Sequence, residues 1–192
     1  MALPRMMPIC QYLQVSSAQP MNASPFASLS GACVLLCLPA FMCAQTFQGN
    51  GAAIPDDGTT LNIPVAVSGL SGPLNTTSFG LEEVCFTIQH AAIGELAISL
   101  VAPDGTAVLL ASAQGGPNSQ YGYTCFRQDA LTLITQGIPP FSGTFRPQED
   151  MGTINNGQDG NGTWNLRVLD MNPGANSGSV TTWDLTFGND PA

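Results

Sequence analysis

Sixteen residues, Asn155 to Asp170 (NNGQDGNGTWNLRVLD), restrict the possible fold more than any other stretch of the chain. Asn156-Gly157 and Asn161-Gly162 are dipeptides that accept positive φ at little cost, so each marks a tight reversal. Behind the second reversal, Trp164, Leu166 and Val168 fall on one side of a strand, and Asn165 and Arg167 on the other. Gly174 to Gly178 turns the chain again, and Trp183, Leu185 and Phe187 alternate in the same way. Two strands carrying one tryptophan each, joined across a Gly-rich turn, predict the closing hairpin of a β-sandwich.

The same grammar runs back through the chain. Leu61, Ile63, Val65 and Val67 alternate and stop at Gly69 to Pro73. Val84, Phe86 and Ile88 alternate up to His90, and Leu96, Ile98 and Leu100 follow Gly94. Pro103-Asp104-Gly105-Thr106 has the signature of a type I turn and places Val101 and Val108 in one hairpin. Ser112 to Tyr123 reads as a long polar loop, and Phe126 to Gln136 as a further strand. Pro139-Pro140 bars a helix, and Phe141 to Pro147 reads as extended. No window has a convincing 3.6-residue period, and no internal repeat is visible. The expected fold is therefore all-β, an antiparallel β-sandwich of jelly-roll type with about eight strands.

Residues 1–44 are of another kind. They hold Cys10, Cys33, Cys37 and Cys43, five of the seven methionines, Arg5 and no acidic residue. Ala32 to Ala44 (ACVLLCLPAFMCA) is too short to span a bilayer comfortably and ends in small residues, as a secretory signal does. Its start lies at Met1 or Met21. The expected organisation is a signal peptide over 1–44, a Gly/Pro-rich lead over 45–58, a sandwich domain over 59–188 and a short end over 189–192. Cleavage leaves three arginines against thirteen acids, a net charge of 3 − 13 = −10, with no lysine. Such a surface repels phosphate backbones and anionic membranes, so nucleic acid is excluded as a partner and no membrane span is expected after signal removal. Cys85 and Cys125 are the cysteines left, and an even pair in an exported domain predicts a disulfide.

Several motifs in order carry a resemblance. Gly94-Glu95-Leu96-Ala97-Ile98-Ser99-Leu100, followed by Ala102-Pro103-Asp104-Gly105-Thr106, resembles the DLxIxLxxPxGT signature of the P domain. This P/Homo B module follows the catalytic domain of kexin- and furin-like proprotein convertases. Pro140 to Pro147, Asn161 to Leu166, Asp170, Gly178 and Trp183 to Phe187 continue the match, which covers about Leu81 to Gly188. Glu95 stands where the family usually has Asp, and Arg127-Gln128 where an acidic pair is common. Leu96, Pro103, Gly105, Pro147, Gly162, Trp164 and Trp183 are the positions that match as structural motif. The resemblance implies a jelly roll associated with subtilisin-like serine endopeptidases.

The residues themselves offer little catalytic chemistry. A subtilisin-type triad needs Asp, His and Ser on separate elements of a large α/β domain. His90 is the sole histidine, and its place at a strand end suits a structural hydrogen bond. No serine sits in a G-x-S-x-G elbow. Acids near turns, Asp104, Asp129, Asp150, Asp159 and Asp170 together with Glu149, are candidate oxygen ligands for Ca²⁺. The competing reading is that they cap turns and keep the surface soluble. Asn75-Thr76-Thr77 and Asn161-Gly162-Thr163 are glycosylation sequons by pattern, and turn geometry accounts better for the second. Trp164 and Trp183 alternate with Leu166 and Leu185 and so belong to the core rather than to a sugar-binding face. The expected function is a secreted or extracytoplasmic, monomeric, non-catalytic module that stabilises or docks on a folded domain, such as a subtilisin-like protease. The alternative is an independent extracellular module that binds carbohydrate or protein.

Overall fold

The computed structural model describes residues 44–192, and the expected signal segment, with its four cysteines, lies outside the described residues. Ten strands form two facing sheets, and three 3₁₀ turns lie in the connections between strands. The larger sheet contains β1 (Gln45–Gly49), β2 (Ala52–Ile54), β4 (Gly80–His90), β7 (Gln120–Phe126), β8 (Gly143–Phe145) and β10 (Gly178–Gly188). Its order is β1-β10-β4-β7-β8, with β2 also paired to β10. The smaller sheet contains β3 (Leu61–Val67), β5 (Leu96–Val101), β6 (Ala107–Ser112) and β9 (Gly162–Asp170), in the order β3-β9-β5-β6. Every named pairing is antiparallel except β7 with β8.

The alternation read from the sequence becomes the core between the sheets. Ile63, Val65 and Val67 of β3 are buried while Asn62, Pro64 and Ala66 face out. Pro64 is tolerated because β3 is an edge strand, where a missing donor interrupts no interior ladder. Trp164, Leu166 and Val168 from β9 meet Trp183, Leu185 and Phe187 from β10, all within 1% exposure. The Trp164 and Phe187 rings pack edge-on at 5.3 Å between centroids. The two indoles differ: Trp164 Nε1 donates to the Gly160 carbonyl at 2.8 Å, whereas Trp183 Nε1 has no hydrogen-bond partner. Trp183 instead lies over Gly49 of β1, where a Cβ would collide with the indole.

Three expectations need correction. The strands bearing the tryptophans do not form a hairpin. β9 pairs with β3 and β5, and β10 with β1, β2 and β4, so residues 171–177 cross from one sheet to the other. Alternation reports which face is buried, and a strand facing another across the core alternates just as one beside it does. The strand placed at Phe126 to Gln136 is instead β7, which begins inside the supposed polar loop, and Ile134–Gln136 is a 3₁₀ turn. Thr124 of β7 is fully buried because its hydroxyl donates to the Phe141 carbonyl at 2.8 Å. Leu131, apparently part of an apolar alternation, is 97% exposed. Finally, the lead over 45–58 contributes β1 and β2, which helps raise the strand number from about eight to ten.

The signature residues serve as framework. Leu96 opens β5 with no exposed surface, Pro147 is buried, and Pro103 and Gly105 occupy the β5–β6 turn, Gly105 at φ 90°. Gly162 has φ 137°, and a Cβ there would stand 3.0 Å from the Pro103 ring. Two motifs distant in sequence are thus pressed together. The expected disulfide joins Cys85 and Cys125, directly opposite each other on β4 and β7 with Cα atoms 4.0 Å apart.

Candidate functional site

At one end of the sandwich the tips of β4, β5 and β9 gather three groups able to ligate or titrate: His90, Glu95 and Asp170. His90 ends β4, Glu95 closes the 3₁₀ turn Ile93–Glu95 ahead of β5, and Asp170 ends β9. Their ligand atoms lie within 4.8 Å of one another. His90 Nε2 is 3.1 Å from Asp170 Oδ2, and both side chains are inaccessible to solvent. His90 Nδ1 lies 3.0 Å from the Ala92 carbonyl and 3.2 Å from the Ala92 amide. The tautomer that satisfies both sides carries its proton on Nε2, donates it to Asp170, and accepts from the Ala92 N–H at Nδ1.

Glu95 is held by the β9–β10 connection. Asn172 Nδ2 donates to its Oε1 at 2.7 Å and Asn176 Nδ2 to its Oε2 at 2.9 Å. Those bonds, first to Asn172 and then to Asn176, hold its carboxyl below the usual glutamate value. The remaining Asp170 oxygen, Oδ1, accepts from the Asn172 amide at 2.9 Å. The network is closed: each nitrogen of the histidine and each oxygen of the two acids has a partner.

A polar cleft of about 450 Å³ opens beside it, lined by Gln89, His90, Ala91, Ser119, Gln120, Ser177, Gly178 and Ser179. A buried His–Asp pair next to three serines invites comparison with a nucleophilic triad. The geometry is of another kind, because a triad histidine offers its second nitrogen to the hydroxyl. Here that nitrogen is taken by the Ala92 backbone, and none of the three hydroxyls hydrogen-bonds to the ring. The structural hydrogen bond expected of His90 is the bond to Asp170.

The acids proposed for calcium are mostly closed on their own turns. Asp104 accepts from the Thr106 amide and hydroxyl and from Asn156, whose bond is the main cause of its lowered pKa. Asp129 pairs with Arg127, and Asp150 caps the 3₁₀ turn Met151–Ile154 through the Gly152 amide. Asp159 accepts from the amide and side chain of Asn161, bonds that lower its pKa. Among the described residues, Asp170 is the member of this set that joins a group of three ligand-bearing side chains. A histidine nitrogen in that group fits poorly with the all-oxygen shell that calcium prefers.

Asparagines do structural work that the sequence left unread. Asn161 grips Leu70 by both backbone groups, at 3.0 and 3.1 Å, so its amide is engaged rather than presented as a sequon. Asn155 does the same for Leu81, at 2.8 and 3.1 Å. Asn172 and Asn176 also went unremarked; Asp170-x-Asn172-x-x-x-Asn176 directly after an alternating strand is the pattern that could have drawn attention to them.

With the geometry established, known proteins give it context. The family model described as "Proprotein convertase P-domain" matches residues 82–187. Leupeptin-inactivating enzyme 1 of Streptomyces exfoliatus is 28% identical over 145 residues, covering 74% of this chain and 26% of that protein. The crystal structure of the Aeromonas sobria serine protease with its ORF2 chaperone aligns at 18% identity and a TM-score of 0.42. That alignment covers 76% of this chain and 27% of the other. PfGH50B aligns at 12% identity with a TM-score of 0.33, over 79% of this chain and 23% of the other. The chain spans about a quarter of the length of each of these proteins.

Proposed function

The chain belongs to the proprotein convertase P-domain family, whose model covers more than half of its length, and from that premise we propose that it is a non-catalytic module that docks on and stabilises a folded partner domain of the subtilisin-like protease class. The observation that carries this reading is one of proportion. The match to the Streptomyces enzyme takes in most of this chain and about a quarter of that protein, the footprint of an accessory domain in a longer enzyme. The closed His90 network agrees with it, since no ring lone pair is left to activate a hydroxyl. A disulfide-linked sandwich also suits an extracytoplasmic setting. Among the described residues no helix is long and apolar enough to cross a membrane.

Two assays test the reading. The purified chain is expected to leave a dibasic peptide intact and to raise the melting temperature of a subtilisin-like catalytic domain mixed with it. Robust cleavage, abolished by His90→Ala or by a serine-directed inhibitor, would overturn it. Calcium forms a separate, smaller proposal: the dispersed turn acids bind it weakly at most, so melting curves in chelator and in excess Ca²⁺ should superpose. A clear rise with Ca²⁺ would show preferential binding to the folded state and restore a calcium role.

A further inference from the structure

The outer face of the larger sheet carries charge that the fold itself does not answer. Asp184 of β10 lies directly opposite Cys85 of β4, and Cys85 opposite Cys125 of β7, so Asp184 and the disulfide form one row across three strands. Glu83 lies on the same face of β4, opposite Thr186. Tyr123 of β7, at φ 48° and 55% exposed, projects beside both acids. Its hydroxyl pKa is raised by burial first, and then by Asp184 and Glu83.

Both carboxylates are half-buried and, among the described residues, neither has a hydrogen bond or an ion pair. Burial raises the pKa of each, and for Glu83 the nearby Asp184, Glu82 and Asp129 add to the rise. Arg127 acts on Glu83 from a distance, but its guanidinium is bonded to Asp129 and Asp190, each at 2.9 Å. A half-desolvated carboxylate without a donor is unfavourable in the free chain and is relieved by a partner's cation. Two such groups beside an exposed aromatic ring match a planar guanidinium, which forks onto carboxylates and stacks on the ring. A lysine ammonium, more strongly hydrated, gains less there.

We propose that this face, centred on Glu83, Asp184 and Tyr123, is the docking surface of the module, and that the partner domain presents an arginine to it. The inference rests on the docking reading above and names the surface and the chemistry that would meet it. The test uses the full chain and a hexa-arginine peptide at low ionic strength, followed by titration calorimetry. Glu83→Gln with Asp184→Asn should weaken binding about tenfold and Tyr123→Ala about threefold, while Asp57→Asn, a charge loss elsewhere, should leave it unchanged. Hexalysine should bind more weakly than hexa-arginine.

Failure of the wild-type chain to bind, an equal loss in the Asp57→Asn variant, or equal affinity for the two peptides would each overturn the proposal. Melting temperatures of the charge variants no lower than wild type establish that folding is not the cause. If the double variant still stabilises the catalytic domain as fully as wild type does, this face is wrong and docking stands. If wild type gives no stabilisation, the docking reading itself falls.

Discussion

Two pairs of carboxylates, one at the sandwich end and one on the sheet face, meet opposite fates in the same fold. Asp170 and Glu95 are surrounded by donors from His90, Asn172 and Asn176, and the Glu95 pKa is lowered. Glu83 and Asp184 are half-buried without donors, and their pKa values are raised. The difference arises from the surrounding backbone rather than from residue type. Strand tips and connections can bend amide groups toward an acid, whereas a flat ladder spends its amides on neighbouring strands. Acids of the first kind hold the fold together, and acids of the second kind remain free for something outside it.

The most severe way to break the comparison is Asp170→Ala, which strands the buried His90. The buried ring N–H and the Asn172 amide, both left without an acceptor, should together cost about 3–5 kcal/mol in a denaturant titration. A loss below about 1 kcal/mol would show the pair to be incidental. On the other face, replacing Cys85 and Cys125 by alanine should cost about 4 kcal/mol by loop entropy, and the peptide-binding face should loosen with it. An unchanged melting temperature on reduction would contradict this.

The smallest effect distinguishes the pairs by sign. Glu83 and Asp184 have folded pKa values above their ordinary 4.5 and 3.8, so the folded chain binds more protons than the unfolded one in that window. Their penalty is absent below those values and complete once the pH has risen through the folded pKa values. Glu83→Gln with Asp184→Asn should therefore give a small gain in stability that grows as pH rises. Glu95 runs the other way: its contribution is present above the unfolded pKa and is lost as pH falls through the folded one. Glu95→Gln should thus cost stability at neutral pH and little in acid. Parallel pH profiles for the two variants would erase the contrast.

Much of the fold could be read in advance because burial writes a period of two into a strand. Leu61 to Val67 and Val84 to His90 were legible on that basis, and the Val101–Val108 hairpin from its Pro103-Asp104-Gly105-Thr106 turn. Lateral partners were not: Trp164 and Trp183 show the same alternation whether they neighbour or face each other. β7 escaped notice because Thr124 is polar by type and buried by virtue of one hydrogen bond. Of the site, His90 was legible as a strand-end residue, and Glu95 stood out as a departure from the family's aspartate. Glu83 and Asp184, separated by a hundred residues, share a face only through the register of β4 with β10, which no local pattern encodes.

The position of β10 also dictates an order of assembly. It lies inside the larger sheet, with β4 on one side and β1 and β2 on the other. Synthesis makes it last of the ten strands, and Gln45 must wait for Phe187 before it has a partner. The smaller sheet is complete in covalent terms at Asp170. Once the chain has emerged as far as Asp170 it can pair β3, β9, β5 and β6 while their apolar face still lacks β10, the strand that brings Trp183, Leu185 and Phe187 to cover it. Pairings this distant form slowly, because loop closure precedes any gain from packing. The molecule therefore completes its core only once β10 has been added, and until then the apolar face of the smaller sheet is only partly covered.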